Sequence, residues 1–256
     1  MKSERAALIR RYLHEHGPSS LAALSQATGA SLPTLRRDLT EMERQGLVIR
    51  DHGGASLAES HLREAAFEAR EALALPEKRA IAAAAHALLT PGATVFLDAG
   101  TTVLQLARRI RAEPLALSVF TNCLPIAQTL AEAEGVKVTL LGGAYRPENA
   151  SITGPLAEAM LESLWVQHLF LGCGSVAPDL TLTSADESEA RLNARMISRA
   201  AQATLLADPS KFGPRLTYGF APLAAVHRVI TTELPPDTAA AIQAAGAALI
   251  QTRSPS

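Results

Sequence analysis

Apolar residues recur at helical spacing along the first part of the chain. Between residues 3 and 16, Ala7, Leu8, Tyr12 and Leu13 mark the inner face of a first helix, and Gly17-Pro18 stops it. A second, short helix starts after Ser19 or Ser20 as N-cap, buries Leu21 and Leu24 with Ala27 as a further candidate, and ends at Gly29. Ala30-Ser31 is then a tight connection. Ser31 caps a third helix, which accepts Pro33 in its first turn because that amide would lack a partner anyway, and Gly46 ends it. At about 100° per residue, Leu35, Leu39 and Met42 share one face of this helix, with Leu32 at its edge. Leu47-Val48-Ile49 reads as a short β run, followed by a flexible turn at Arg50-Asp51-His52-Gly53-Gly54. Helix, helix, tight turn, helix, β-ribbon is the order of a winged helix-turn-helix, assigned to residues 1–56.

The period then changes. Residues 57–75 are charged and alanine-rich without a β signal and read as a linker helix ending at Pro76. Beyond it, short apolar strands at Thr94–Asp98, Ala116–Thr121, Val136–Leu141, Leu169–Leu171 and Ala203–Asp208 alternate with helical patterns at Val103–Arg111, Pro125–Ala133, Pro155–Leu164 and Glu187–Ala201. His227–Thr232, Pro236–Ala245 and Ala248–Thr252 add a strand, a helix and a strand. Such alternation implies an α/β domain over residues 76–256 with a mostly parallel sheet covered on both faces.

Composition narrows the picture. The 256 residues are 48% hydrophobic, enough for a sizeable core. The longest apolar run, around Ile81–Leu89, is interrupted by His86 and far short of a bilayer span, so neither a signal peptide nor a membrane segment is expected and the cytoplasm is the default compartment. Cys123 and Cys173 stand alone, without metal-ligand spacing; no metal or cofactor is expected. The net charge of −1 does not announce a nucleic-acid binder: residues 1–53 hold eight Lys/Arg against six Asp/Glu. A DNA reading must rest on where the basic side chains point.

Opposite the Leu35, Leu39, Met42 face, the third helix carries Pro33, Arg37, Thr40 and Arg44, flanked by Thr34 and Arg36. Exposed arginines and a threonine on a helix entered through a tight turn suit a major groove, where guanidinium bonds guanine O6 and N7 and Thr meets a thymine methyl. Asp38 is expected to orient an arginine. Arg50 and His52 beside Gly53 suit phosphate. The bland alternative, a solvated charged face, fits "RRD" taken alone; the capped helix before it and the wing after it favour DNA.

These residues carry a family resemblance. Ser31, Thr34, Arg36, Arg37, Asp38 and Leu39, then Gly46, Arg50, Gly53, Gly54 and Ala55, resemble the DNA-binding signature of the DeoR family of bacterial repressors. The resemblance implies that Ser31, Pro33, Thr34, Arg36, Arg37, Thr40, Arg44, Arg50, His52 and Gly53 face double-stranded DNA.

In the larger domain, Asp98-Ala99-Gly100-Thr101-Thr102 follows a strand and opens a helix, where free amides, the helix dipole and two hydroxyls make an anion site. A mere N-cap at Thr101 is the alternative. Thr121-Asn122, Gly142-Gly143 and Asp208-Pro209-Ser210-Lys211 end further strands, and carboxyl ends of parallel strands form ligand crevices. With Glu77-Lys78 and Glu189-Ala190, these pieces look like the DeoR-family effector domain, which is similar in fold to ribose-5-phosphate isomerase and binds phosphorylated sugars. The resemblance places Thr101, Thr102 and Lys211 on phosphate, Asp98, Asn122 and Asp186 or Glu189 on hydroxyls, and Lys78, Gly100, Thr121, Gly142 and Gly143 around them.

Two departures bear on activity. The isomerases carry Asp-Gly-Ala-Asp where this chain reads Leu171-Gly172-Cys173-Gly174, and the family commonly has Lys where this chain has Asn193. Proton abstraction then lacks its obvious base. Cys173 reads as a small core residue rather than a nucleophile, and His168 as strand-edge packing rather than a ligand. The expectation is a non-enzymatic repressor of a sugar-catabolic operon, responsive to a phosphorylated sugar or polyol; a phosphosugar isomerase-like enzyme with a helical module is the alternative. One winged helix covers too little duplex for specificity, so a homo-oligomer, dimer or tetramer, is expected.

Overall fold

The computed structural model describes residues 2–44, 47–50, 53–57, 67 and 69–253. The chain divides into two compact units, Met1–Ala69 and Arg70–Ser256. Gly46, His52 and most of the expected linker helix lie outside the described residues.

The first unit holds α1 (Lys2–His16), β1 (Ser19–Ser20), α2 (Leu21–Thr28), α3 (Leu32–Arg44), β2 (Val48–Arg50) and β3 (Gly54–Leu57). Ser20 caps α2 by accepting the Ala23 amide at 3.2 Å, and Gly29 ends it in the left-handed conformation at φ 67°. The core is Ile9, Leu13, Leu24, Leu35, Leu39, Met42, Val48, Ala55 and Leu57. Ile9 thus stands where Ala7 and Leu8 were expected: all three are apolar neighbours, but only Ile9 lies one turn before Leu13 on the face turned to α2 and α3, and Ala7 and Leu8 are exposed, as is Ala27.

The strands β1, β3 and β2 form a small antiparallel sheet in that order. The double glycine is asymmetric. A Cβ on Gly54 would stand 2.2 Å from the Ser19 carbonyl oxygen, whereas one on Gly53 would meet nothing within 4 Å. Only Gly54 is demanded by the close approach of β1 to β3.

The second unit opens with a correction. Pro76, expected to end a helix, sits in the first turn of one, α4 (Leu75–His86), where its missing amide costs nothing. Then follow β4 (Thr94–Leu97), α5 (Thr101–Ala112), β5 (Leu117–Thr121), α6 (Leu124–Leu130), β6 (Val136–Leu140), β7 (Ala144–Arg146), β8 (Ser151–Thr153), α7 (Pro155–Glu162), β9 (Val166–Leu171), β10 (Ser175–Val176), β11 (Thr181–Ser184), α8 (Glu187–Ser198), β12 (Ala200–Leu206), β13 (Tyr218–Pro222), β14 (Arg228–Thr231), α9 (Pro236–Ala244) and β15 (Ala248–Gln251). Among the described residues, seven of these strands form one parallel sheet in the order β15-β14-β12-β9-β4-β5-β6. β9 and β12 begin three residues earlier than the apolar runs indicated, because Val166, His168, Ala200 and Gln202 pair in register despite their mixed polarity. The hairpin of β7 and β8 and the small sheet of β10, β11 and β13 carry too few apolar residues to have been read from the sequence.

From β4 the sheet grows one way through β5 and β6, and from β9 the other way through β12, β14 and β15. Connections leaving the carboxyl ends of β4 and β9 therefore part to opposite sides and open a crevice between them. No described helix is long and apolar enough to cross a membrane.

Replacing Gly54 by Ala is expected to displace β1 and destabilise the first unit by about 1–3 kcal/mol. Gly53→Ala is expected to leave stability within about 0.5 kcal/mol of the parent. Hydrogen exchange of peptides covering residues 19–24 and 53–57 in the intact chain measures both; equal protection in the two variants would contradict the packing described.

Candidate nucleic-acid interface and anion site

On α3 the buried residues are Leu35, Asp38, Leu39 and Met42. Asp38 accepts a hydrogen bond from Arg5 Nε at 2.6 Å, so the arginine it orients is on α1 and the pair ties the two helices together. Ser31 and Thr34 share a hydroxyl–hydroxyl bond of 2.9 Å at the start of α3, and Pro33 is exposed beside them. Arg36 and Arg37 are both exposed and, among the described residues, make no side-chain hydrogen bond or ion pair.

The other basic residues are engaged. Arg44 makes two hydrogen bonds to Glu41, at 2.7 and 3.1 Å. Arg50, on the wing strand β2, donates to Thr40 Oγ1 at 2.6 Å and lies 3.6 Å from Glu43. Thr40 in turn donates to the Arg36 carbonyl at 2.7 Å. Gly53 accepts the Leu21 amide at 3.1 Å, which pins the wing to the start of α2. The wing thus braces α3 through Arg50 and Thr40, and the two unengaged arginines stand on the outer face.

In the second unit, Asp98 lies at the carboxyl end of β4, 2% exposed, and bridges the switch point: its amide donates to Phe170 O at 3.0 Å and its Oδ2 accepts the Gly172 amide at 3.3 Å. Burial, then the nearby Glu189 carboxylate, push Asp98 up to about 7, against hydrogen bonds from the Ala99 and Gly172 amides and from Asn122. Asn122 is itself 1% exposed, and its Oδ1 has no partner among the described residues. Gly100 reaches φ 151° at the mouth of α5, Thr102 is buried, and Thr101 Oγ1 donates to the Arg70 carbonyl at 3.4 Å.

From α4, the buried Lys78 also donates to the Arg70 carbonyl; burial lowers its pKa, Asp208 opposes that, and Lys211 adds to it. Lys211 ends a short 3-10 turn, Pro209–Lys211, that follows β12, and its carbonyl accepts from Ser175 at 3.1 Å. Asp186 caps α8, accepting the Glu189 amide at 2.9 Å. Glu189 accepts from Asn149 at 2.7 Å and from Ser184, and Arg146 stands 3.6 Å from it and 3.5 Å from Asp186. Burial also lowers Arg70, with Glu189 opposing and Arg146 adding. Cys173 is pushed up to about 12 by burial, with Lys211 opposing and Asp208, Asp98 and Glu189 adding. Its thiol therefore stays protonated at neutral pH, and the charges of Lys211, Asp208, Asp98 and Glu189 all act on it.

Three expected residues serve the backbone instead. Thr121 is fully buried; its hydroxyl donates to Leu97 O at 2.6 Å and the hydroxyl oxygen accepts the Cys123 amide at 3.1 Å. The Gly142 amide is directed at Met160 Sδ, 3.1 Å away, and a Cβ on Gly143 would meet Thr153 O at 2.5 Å, so this pair lets the β7–β8 hairpin fold back. Arg70, Arg146, Asn149 and Ser184 went unnoticed in the sequence, since each joins the cluster only through tertiary contact. His168 packs against Phe170 on β9, ring centroids 6.2 Å apart.

Asp98 also fixes a pH dependence. Its folded pKa exceeds its unfolded one, so the folded chain holds more protons, and the stability this supplies is full below about pH 4 and lost as pH rises through about 7. Moving one carboxyl from about 4 to about 7 corresponds to at most roughly 4 kcal/mol. Asp98→Asn is expected to flatten the stability profile of the second unit between pH 5 and 8 and to be the more stable form at pH 8. Thermal unfolding across that range checks it; parallel profiles for the two proteins would contradict the assignment.

Comparison with known proteins places each unit in a family. Residues 5–61 match the DeoR-like helix-turn-helix domain and residues 74–233 the DeoR C terminal sensor domain. The chain is 36% identical to the HTH-type transcriptional regulator GlpR of Haloferax volcanii, covering 98% of each, and 34% identical to a putative aga operon transcriptional repressor of Escherichia coli O157:H7, covering 97% of this chain and 93% of that one. A solved ribose 5-phosphate isomerase A from Methanocaldococcus jannaschii overlays with TM-score 0.39 at 19% identity over 53% of each chain. With a DNA-binding module and a sensor domain that together match most of its length, the chain belongs to the DeoR family of transcriptional regulators.

Proposed function

We propose that this regulator represses a sugar-catabolic operon, reading its operator through α3 and the wing and sensing a phosphorylated sugar or polyol in the second unit. The observation that carries the DNA half is the pair Arg36 and Arg37, exposed and unengaged among the described residues, with Arg37 opposite Leu35, Leu39 and Met42 and Arg36 on the flank of that face. Two solvent-exposed guanidinium groups held out by a braced helix are suited to bidentate contact with guanine. Arg44 and Arg50 would first exchange Glu41, Glu43 and Thr40 for phosphate, and so contribute less. Two or four copies act together on the duplex, since one recognition helix reads too few base pairs.

For the sensor half, Lys78 and Lys211 supply positive charge beside the start of α5, where Gly100, Thr101 and Thr102 offer amides and hydroxyls. Asp98, Asn122 and Glu189 border the same cluster and are suited to sugar hydroxyls. The ligand remains unconverted, because Leu171 and Gly174 stand where the related isomerases carry acids. One carboxyl, Asp98, does persist at the crevice, which makes a turnover assay on pentose and hexose phosphates a fair check.

Arg37→Ala is expected to weaken specific duplex binding by about 5- to 150-fold per half-site, the equivalent of one bidentate contact of about 1–3 kcal/mol, with folding unaffected. Arg44→Ala is expected to change affinity less. Anisotropy on a duplex selected from a random pool decides, and parental affinity in Arg37→Ala would remove α3 from the groove.

Calorimetry against a panel of phosphosugars is expected to find binding that Lys211→Ala weakens by about tenfold or more and that the unphosphorylated sugar lacks. If free sugar and phosphate bound alike, the anion-site assignment would fail while the DNA assignment stood.

A further inference from the structure

The anion site described above is not open. The groups suited to a phosphate, the Lys78 ammonium and the Thr101 hydroxyl, both donate to one acceptor, the backbone carbonyl oxygen of Arg70. A backbone carbonyl oxygen accepts hydrogen bonds as a phosphate oxygen does, though without its charge, and here it takes the donors that a phosphate would use. The side chain of the same residue makes a second tie, its guanidinium donating to the Glu148 carbonyl in the turn between β7 and β8, within electrostatic reach of Glu189 and Arg146. The next residue, Glu71, makes a 2.5 Å ion pair with Arg108 of α5. Residues 70 and 71 are therefore tied at three places beside the site, and every tie is polar.

Both ends of the tie are strained. Ala74, four residues after Arg70, and Ala150, two residues after Glu148, each hold φ at 51°, a conformation disfavoured for alanine. A segment fixed by polar contacts at the site and released from strain on detachment has two discrete arrangements available to it.

We propose that the segment at Arg70 is a strap that closes the effector site with its own backbone carbonyl, and that an arriving phosphate displaces it. The chain runs from this strap into the residues that lead to the first unit, so its release is the first local event by which occupancy of the sensor is transmitted along the chain. The inference rests on the effector-site reading given above. It adds that ligand and strap compete for Lys78 and Thr101, so whatever loosens the strap raises the affinity for phosphate.

The test uses the intact protein with inorganic phosphate as the probe. At saturating phosphate, amide exchange in a peptide covering residues 69–76 is expected to rise roughly tenfold. Arg70→Ala, and independently Arg108→Ala, which frees Glu71 from α5 while keeping its carboxylate near Lys78, are expected to bind phosphate about three- to tenfold more tightly by calorimetry although each removes a positive charge, with unchanged melting temperature. Phosphate that binds in a Lys211-dependent way while exchange at 69–76 stays the same or slows would overturn the strap and leave the effector site standing. Weaker phosphate binding by Arg70→Ala would make its guanidinium a ligand contact and overturn the strap as well. No phosphate binding at all would sink both readings together.

Discussion

A carboxyl buried where the strand order of the parallel sheet reverses sets the conditions for the sensor unit. Asp98 must be inside, because β4 and β9 pair up to its backbone and its oxygen closes the gap by accepting the Gly172 amide. A charge there is costly, and the neighbouring Glu189 makes it costlier, so the carboxyl titrates near neutrality and the surrounding side chains arrange themselves to compensate. Glu189 is held by Asn149, Ser184 and Arg146, while Asp208 and Lys211 act on Lys78 in opposite senses. A cluster with this many buried charges and an unpartnered amide oxygen on Asn122 is poorly satisfied by the protein alone. It is the kind of place in which a small polar anion gains much by binding.

The DNA-binding unit solves a related problem with less burial. Its nine-residue core is small, and the polar ties around it fix orientation: Arg5 to Asp38 between α1 and α3, Arg50 to Thr40 between wing and α3, and the Gly53 carbonyl to the Leu21 amide between wing and α2. With these in place, the helix presents Arg36 and Arg37 without spending either on the protein itself. The basic side chains that do brace the unit are the ones that a reading by charge alone would have counted as DNA contacts.

Legibility in the sequence followed the range of the interactions. The face of α3 was legible because thirteen helical residues repeat one period, and the parallel sheet because its strands are short apolar runs between amphipathic helices. Ile9 was misplaced, since Ala7, Leu8 and Ile9 are all apolar and only packing chooses among them. Pro76 misled because proline both ends and begins helices. The exposed arginines of α3 and the DAGTT loop each declare themselves within a few residues. Arg70, Arg146 and Asn149 do not: Arg70 meets Glu148 across 78 positions, and Asn149 meets Glu189 across 40. The arginine following Gly142-Gly143-Ala-Tyr was the available hint, a cation placed just past a strand-end turn.

The central claim is that occupancy of the anion site and affinity for DNA are linked in one molecule. The most direct measurement is the affinity of the intact protein for its selected duplex, titrated at increasing concentrations of a phosphosugar that calorimetry has shown to bind. The account predicts a shift of about 5- to 150-fold, in either direction, with the duplex changing the phosphosugar affinity by the same factor. Duplex affinity that stays constant from zero to saturating phosphosugar would show two independent sites, and would contradict the account.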